Sequence, residues 1–363
     1  MTAETRGTAF VYAGTYTNGD DGIFRYRMDL ETGALEPAGT TPAHNPFFLL
    51  VDRTGKLLYA TVSRNGEEGD FTEGEVAAYV IERSGELTLL NTERAHGAFP
   101  CYLALDRAQR HLLVGNYNSG SVAVLPVAED GRLGAATDVV QHSGSSVNEE
   151  RQEGPHVHSI VLDPAERFAY AADLGIDRHM IYAFDAGAGK LKPAARPWVE
   201  TAPGAGPRHF AFHPDGARAY LLNELDGTLT LFDHDADSGG LSERQTISTL
   251  PEDFTGENYA ADLSIPPPGD FLYSTNRGHD SIAVFAVDRE SGLLTFAAHE
   301  PAQGGWPWNL ETDPAGRFML AANYESDSVA VWRIDSGTGR LTPAGNGAGA
   351  PKPTGVVMAR AAG

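Results

Sequence analysis

One phrase recurs along the whole length of this chain and constrains what it can fold into. A short apolar strand runs into Asp-Pro-x-Gly-Arg or a variant, a second apolar strand follows and ends on Asn, and a third strand comes after it. PRHFAFHPDGARAYLLNELDGTLTLF from Pro207 and PWNLETDPAGRFMLAANYESDSVAVW from Pro307 are two copies. The turn returns at Asp52, Asp106, Asp163, His213, Pro266 and Asp313, a spacing of about 50 residues that means radial or linear repetition of a β-unit. Strands such as FAYAAD, MIYAFD and SVAVWRID are rich in Val, Ala, Tyr and Phe and are separated by close turn signals, an all-β meander. A fourth strand in each unit follows a Gly-Leu or Gly-x-Leu signal, and seven such endings occur, from TGALEPAG to TGRLTPAG.

First strands also number seven, the last being PTGVVMAR at Pro353, which has no second strand after it. The start of the chain has the complement: TAFVYAGTY, GIFRYRMD and ALEPAG lack a first strand. The two ends complete one unit between them and remove the open edges of an unclosed array. The expected architecture is all-β, a seven-bladed β-propeller of four-stranded antiparallel blades spanning 1–363 as one domain, with N- and C-terminal strands sharing a blade. A linear β-solenoid is the alternative, but it leaves the complementary ends unexplained.

The formal net charge of −22 argues against sequence-independent nucleic-acid binding, which needs a basic footprint. It does not exclude an anionic small substrate, because salt screens a distant acidic surface beyond about 8–10 Å. No apolar run approaches the roughly 18 residues of a membrane span. MTAETRGTAFVYAG shows no basic segment followed by an apolar one. With one cysteine, Cys101, no internal disulfide forms. These features lead to the expectation of a cytoplasmic protein, monomer or dimer, with no nucleic-acid or membrane partner.

Alignment on the Asp turn places residues on a common rim. In an antiparallel meander the start of strand one and the end of strand two lie at the same blade edge, and strand one lies nearest the central channel. The strand-one mouth positions are Phe47, Cys101, His158, Arg208, Ala261, Trp308 and Thr354. The strand-two ends are Val62, Asn116, Asp173, Asn223, Asn276 and Asn323, followed by Ser63, Tyr117, Leu174, Glu224, Arg277 and Tyr324. Three consecutive blades therefore place His158, Arg208, Glu224 and Arg277 on one rim, flanked by His209, Asn223, Asn276 and His279. Such groups are costly to cluster without a ligand. Of the two histidines in GPHVHSI the register selects His158, with His156 outside the strand in a supporting role. The Asn positions recur in blades with nothing unusual beside them and read first as structural groups bonding the turn backbone, and Trp306 and Trp308 read equally as core or substrate wall. Cys101 reads as an inert small side chain.

Zinc spacing, a Gly-rich phosphate loop and a GxSxG elbow are all absent. An oxygen-ligand site for calcium or magnesium at Glu224 is opposed by the two arginines, so neither metal nor cofactor is expected. The long acidic or polar connections 63–75 and 142–154 suit a lid or plain loops, and the second leads into His158.

At these residues the chain resembles the bacterial lactonase family of seven-bladed propellers, which includes propeller-type 6-phosphogluconolactonases and related fungal carboxymuconate lactonizing enzymes. AGTYT near the start, HSI at His158, GPRHFAFHPDG, NEL at Glu224, NRG at Arg277 and ANYESDSVAVW carry the likeness. It implies a His, an Arg, a Glu and an Arg at the channel mouth, matching His158, Arg208, Glu224 and Arg277, which are the expected catalytic set; the rim register adds His209, Asn223, Asn276, His279, His156 and Trp308 as the residues expected around the substrate. Related chains often have Pro-Arg where this one has Pro307 and Trp308, so one cation suited to a phosphate is replaced here. The resemblance implies a small anionic sugar lactone opened without a metal, His158 or Glu224 serving as general base and Arg208 and Arg277 holding anion or oxyanion. Lactonization of a muconate-type diacid and a non-catalytic binding propeller are the alternatives.

Overall fold

The computed structural model describes residues 7–19, 21–63 and 73–360. Its strands form seven antiparallel sheets around a central axis, each a blade with strand one innermost. Six follow one another from Pro46 to Gly349. The remaining blade is built by Thr8–Thr15, Ile23–Asp29 and Leu35–Thr41 with Pro353–Arg360 hydrogen-bonded along Thr8–Thr15. The ring is thus closed by the two ends of the chain, and the solenoid alternative is set aside. In the last complete blade the outermost strand is split into Leu341–Pro343 and Ala348–Gly349, both paired with Ser328–Ile334. Of the two long connections, residues 64–72 lie outside the described residues.

The hydrophobic core is not at the axis but between neighbouring blades. Seven apolar clusters occur, one for each blade–blade interface. One joins Tyr170, Ala172 and Ile181 to Phe210, Leu221 and Phe232. Because a second strand is covered on both faces, it reads as an apolar run: Phe168–Asp173 is buried at every residue after the first. The outermost strand, covered on one face, alternates with polar residues instead.

The recurring turns are held by side chains. The Asp163 carboxylate accepts from the backbone N–H of Phe168 at 2.6 Å and of Ala165 at 3.1 Å. Asp52, Asp106 and Asp313 hold their turns in the same way. His213 replaces Asp and uses its ring Nδ1 to accept from Asp215 N. The Gly before each fourth strand has a different cause. Gly239 sits at φ +72°, and a Cβ there would meet the Phe168 ring at 2.5 Å. Its carbonyl accepts from the Tyr170 hydroxyl of the preceding blade at 2.8 Å. Tyr12, Tyr59, Tyr220 and Tyr273 make the same bond to Gly85, Gly131, Gly292 and Gly339.

The Asn residues at strand-two ends bond backbone, as a structural role requires, and the carbonyls they reach belong to the neighbouring blade. Asn116, Asn276 and Asn323 donate to Ala95, Thr249 and Ala302, the last carbonyls of the preceding blades. Asp173, in the equivalent place, grips His142 at 2.6 Å. Gly239→Ala is expected to lower the unfolding free energy by about 2–4 kcal/mol, combining overpacking against Phe168 with a disfavoured left-handed backbone; urea denaturation checks this, and a wild-type midpoint would remove the steric account of the repeating Gly.

Candidate active site

Each blade's first strand carries a register shift at its mouth position. In the fourth unit Val157 pairs with Asp173 and Ser159 with Ala172, leaving His158 as an extra residue. The same shift falls at Thr354, Phe47–Phe48, Cys101, Arg208, Ala261–Asp262 and Trp308. A bulge bends the strand and re-aims a side chain. Here one shift per blade occurs at the mouth of the channel.

There a cavity of about 350 Å³ opens, lined by His158, Glu224, Arg277 and Arg151 beneath a wall of aromatic rings: Tyr16, Phe47, Phe99, Tyr117, Tyr259, Trp306 and Trp308. Phe99 and Trp306 hold left-handed backbone at φ +53° and +61°. That conformation is costly for bulky residues, and strain of this kind clusters at ligand sites.

The floor is a buried charge cluster centred on Glu224. Its Oε2 accepts from Arg208 Nε at 2.8 Å and lies 3.1 Å from Arg277 Nη2, while Oε1 accepts from Arg151 Nη2 at 2.7 Å. His158 Nε2 is 3.8 Å from Oε2, an electrostatic contact and not a hydrogen bond. Burial would raise the Glu224 pKa, but Arg277, Arg208 and Arg151, with a lesser contribution from His158, outweigh it and hold the carboxyl well below the usual range. His158 goes the other way for its type. Burial, then Arg208 and His209, push its pKa well below 6.5, so its imidazole is neutral at physiological pH. Burial also lowers Arg277, to about 10 against the pull of Glu224, which leaves it charged. Three guanidinium groups against one carboxylate give the site a positive character within a strongly acidic chain.

Arg277 is held from several sides. Its Nε donates to the Tyr259 carbonyl at 3.2 Å, and its Cζ lies 4.7 Å from the Trp308 ring centre and 5.7 Å from that of Trp306. Its Nη2, though near Glu224, makes no well-aligned hydrogen bond. Arg277 Nη2 is thus engaged by Glu224 as an ion pair at 3.1 Å, whereas Trp308 Nε1 is a buried donor of a cavity-lining residue with no acceptor among the described residues.

The four residues expected on one rim, His158, Arg208, Glu224 and Arg277, meet in this cluster. Arg208, however, lies behind Glu224 and does not line the cavity. The guanidinium that joins Arg277 there is Arg151, which the sequence reading missed. It comes from the 142–154 connection, where the only signal was a lone cation in an acidic stretch preceding His158. That connection is fastened by Gln152 Nε2 to the Leu174 carbonyl at 2.8 Å and Ser146 Oγ to Asp177 at 2.5 Å. His209 sits below the cluster, between Asp262 and Arg208. Asn223 donates to Thr228 Oγ1, Asn276 staples the preceding blade, and His279 bonds Ser281 beside Phe254; none of the three lines the cavity. His156 stacks on Tyr117 at 4.6 Å and supports that wall from behind. Burial pushes the Cys101 thiol up to about 12, which keeps it protonated. Among the described residues no group of three His, Cys, Asp or Glu converges as metal ligands would, and no helix is long and apolar enough to cross a membrane.

Removing the central carboxylate leaves two buried guanidinium groups, Arg208 and Arg277, and the partly exposed Arg151 uncompensated. Glu224→Gln is expected to cost about 3–5 kcal/mol of stability, read from the urea midpoint; an unshifted midpoint would mean that the cluster is not held together by this charge.

The family description "Lactonase, 7-bladed beta-propeller" matches residues 10–358. A protein of Bacillus subtilis named 6-phosphogluconolactonase is 38% identical over 299 residues, 82% of each chain. Among solved structures, the periplasmic gluconolactonase of Pseudomonas aeruginosa is 33% identical with TM-score 0.91, covering 97% of this chain and 99% of that one. A putative 6-phosphogluconolactonase of Bacteroides fragilis is 30% identical with TM-score 0.90, covering 99% of both chains.

Proposed function

The chain belongs to the lactonase family of seven-bladed β-propellers, and we propose that the bond it opens is the ring ester of a sugar lactone, 6-phosphogluconolactone or a related aldonolactone, by general-base activation of water at His158 without a metal. The observation that carries this reading is the division of labour on the cavity floor. Glu224 is saturated by guanidinium groups and held ionised far below neutrality, which makes it a weak base. His158, neutral and lining the same cavity, is the group there suited to take a proton.

In this mechanism a water attacks the lactone carbonyl carbon while His158 accepts its proton. The carbonyl oxygen becomes an oxyanion, and the guanidinium of Arg277, which lines the cavity, donates to it. The carbon–ring-oxygen bond then breaks, and the leaving ring oxygen takes the proton from His158. The product is a hydroxy acid, which ionises to a carboxylate that Arg151 and Arg277 face. Glu224 sets the spacing of those two guanidinium groups and acts as a positioning residue. The aromatic wall offers apolar faces to the C–H side of a sugar ring and excludes water.

His158→Ala is expected to lower kcat about 100- to 10,000-fold while the protein stays folded. The test is hydrolysis of a panel of gluconolactones, each corrected for spontaneous opening; a folded variant with wild-type turnover would falsify the assignment. The working form of His158 is the neutral one and its pKa is depressed. The expected acid limb of kcat/KM therefore lies well below pH 6.5, and activity should stay level as pH falls from 8 through about 6.5. A limb at or above 6.5 would contradict a base sitting in that positive environment.

A further inference from the structure

One step deeper than the mouth positions, the next residue of each first strand forms a second layer across the channel. Phe48 lies against Tyr102 with ring centres 4.6 Å apart, and Tyr102 meets the edge of His209 at 5.1 Å. His209 Nδ1 lies 2.7 Å from Asp262 Oδ1, and Asn309 Nδ2 donates to Asp262 Oδ2 at 2.6 Å. The backbone N–H groups of Leu263 and Leu310 each donate to the same carboxylate at 2.8 Å. Four hydrogen bonds therefore aim at Asp262, which is 7% exposed.

On its other side the His209 ring presents Nε2 to Arg208 Nη1 at 3.2 Å. A guanidinium can only donate, so Nε2 must carry the lone pair and Nδ1 the proton. Asp262 accepts that proton's hydrogen bond, which is the partner that selects this tautomer. Arg208, fixed at Nη1 by His209, directs its Nε at Glu224 Oε2 2.8 Å away. The order Asp262, His209, Arg208, Glu224 is a chain of hydrogen bonds across adjacent blades, and it ends on the carboxylate that spaces the two cavity guanidinium groups.

We infer that Asp262 is a positioning residue of the lactone-opening site: by holding His209 in the Nδ1-protonated tautomer it orients Arg208 against Glu224. The consequence for turnover rests on the hydrolase reading above, whereas the tautomer does not. Replacing Asp262 by Asn puts an amide N–H or a weaker acceptor against the imidazole. If the proton moves to Nε2, two donors oppose each other and Arg208 is displaced.

The experiment has an activity arm and a structural arm. Nitrogen-15 NMR of the intact protein reads the His209 tautomer: Nδ1–H is expected in the wild type, and Nε2–H would overturn the inference outright. Kinetically, D262N is expected to lower kcat about 100-fold through misplacement of the floor, with KM near the wild-type value. The groups facing His158 are Arg208, His209, Glu224, Cys101 and the Tyr117 ring, 5.3 Å away. Displacing Arg208 removes one cause of its depressed pKa, so the acid limb in D262N should move up toward 6.5. A merely structural role would lower thermal stability and leave that limb in place, and that result would sink the proposal. His209→Gln retains one acceptor for Arg208 and one donor for Asp262, so it should recover most of the turnover that H209L loses; equal loss in both variants would also overturn the inference. Should the wild type open no lactone at all, the hydrolase reading fails, and the NMR arm still decides the tautomer.

Discussion

Closure of the ring is the constraint on which the rest of this molecule depends. Seven sheets radiate from one axis only because Pro353–Arg360 pairs along Thr8–Thr15, which leaves every blade flanked on both faces. Each interface then buries its own apolar cluster, and Tyr hydroxyls and Asn amides tie one blade to the next. An open array would expose two apolar blade faces and would not bring its first strands to a common channel. The cavity at the channel mouth is a consequence of that convergence, since its residues come from far-separated parts of the chain.

Within the ring, the buried charge cluster is the costly element. Taking Arg208, Arg277 and Glu224 out of water costs several kcal/mol per ion, and ion pairing repays this only when geometry and hydrogen bonds are good. Here the geometry is enforced from behind by His209 and Asp262 and from above by the aromatic rings around Arg277. The same arrangement sets the protonation states. Guanidinium groups hold Glu224 ionised, and the desolvation and positive field that depress His158 keep its imidazole free of a proton. Both pKa values are lowered, which leaves Glu224 charged and His158 neutral, because one group is an acid and the other a base.

Much of this was legible from spacing. The Asp turn, the Gly-Leu signal and the complementary ends specify blades, their number and their closure, and alignment on the turn brings His158, Arg208, Glu224 and Arg277 to one rim. The finer assignments were not legible. Asn223 and Asn276 share the register of the rim but are engaged by Thr228 and by the preceding blade. His279 lies one turn beyond Arg277 in sequence yet faces Phe254 and Ser281. Arg151 belongs to a connection with no repeat counterpart, so no alignment to other blades could place it. Trp308, whose repeat position is filled by different residue types in the other blades, becomes a platform under Arg277.

The amino-acid sequence by itself determined the blade, because a strand covered on both faces, a turn closed by a carboxylate and a glycine pressed against the next ring are local requirements repeated in each unit. Only the tertiary structure decided which charges face the cavity and which lie behind them. Arg208 and Arg277 fall on the same rim in the repeat register, and their different depths follow from a bulge at one strand start, a strand end in the next blade, and the layer of side chains packed beneath.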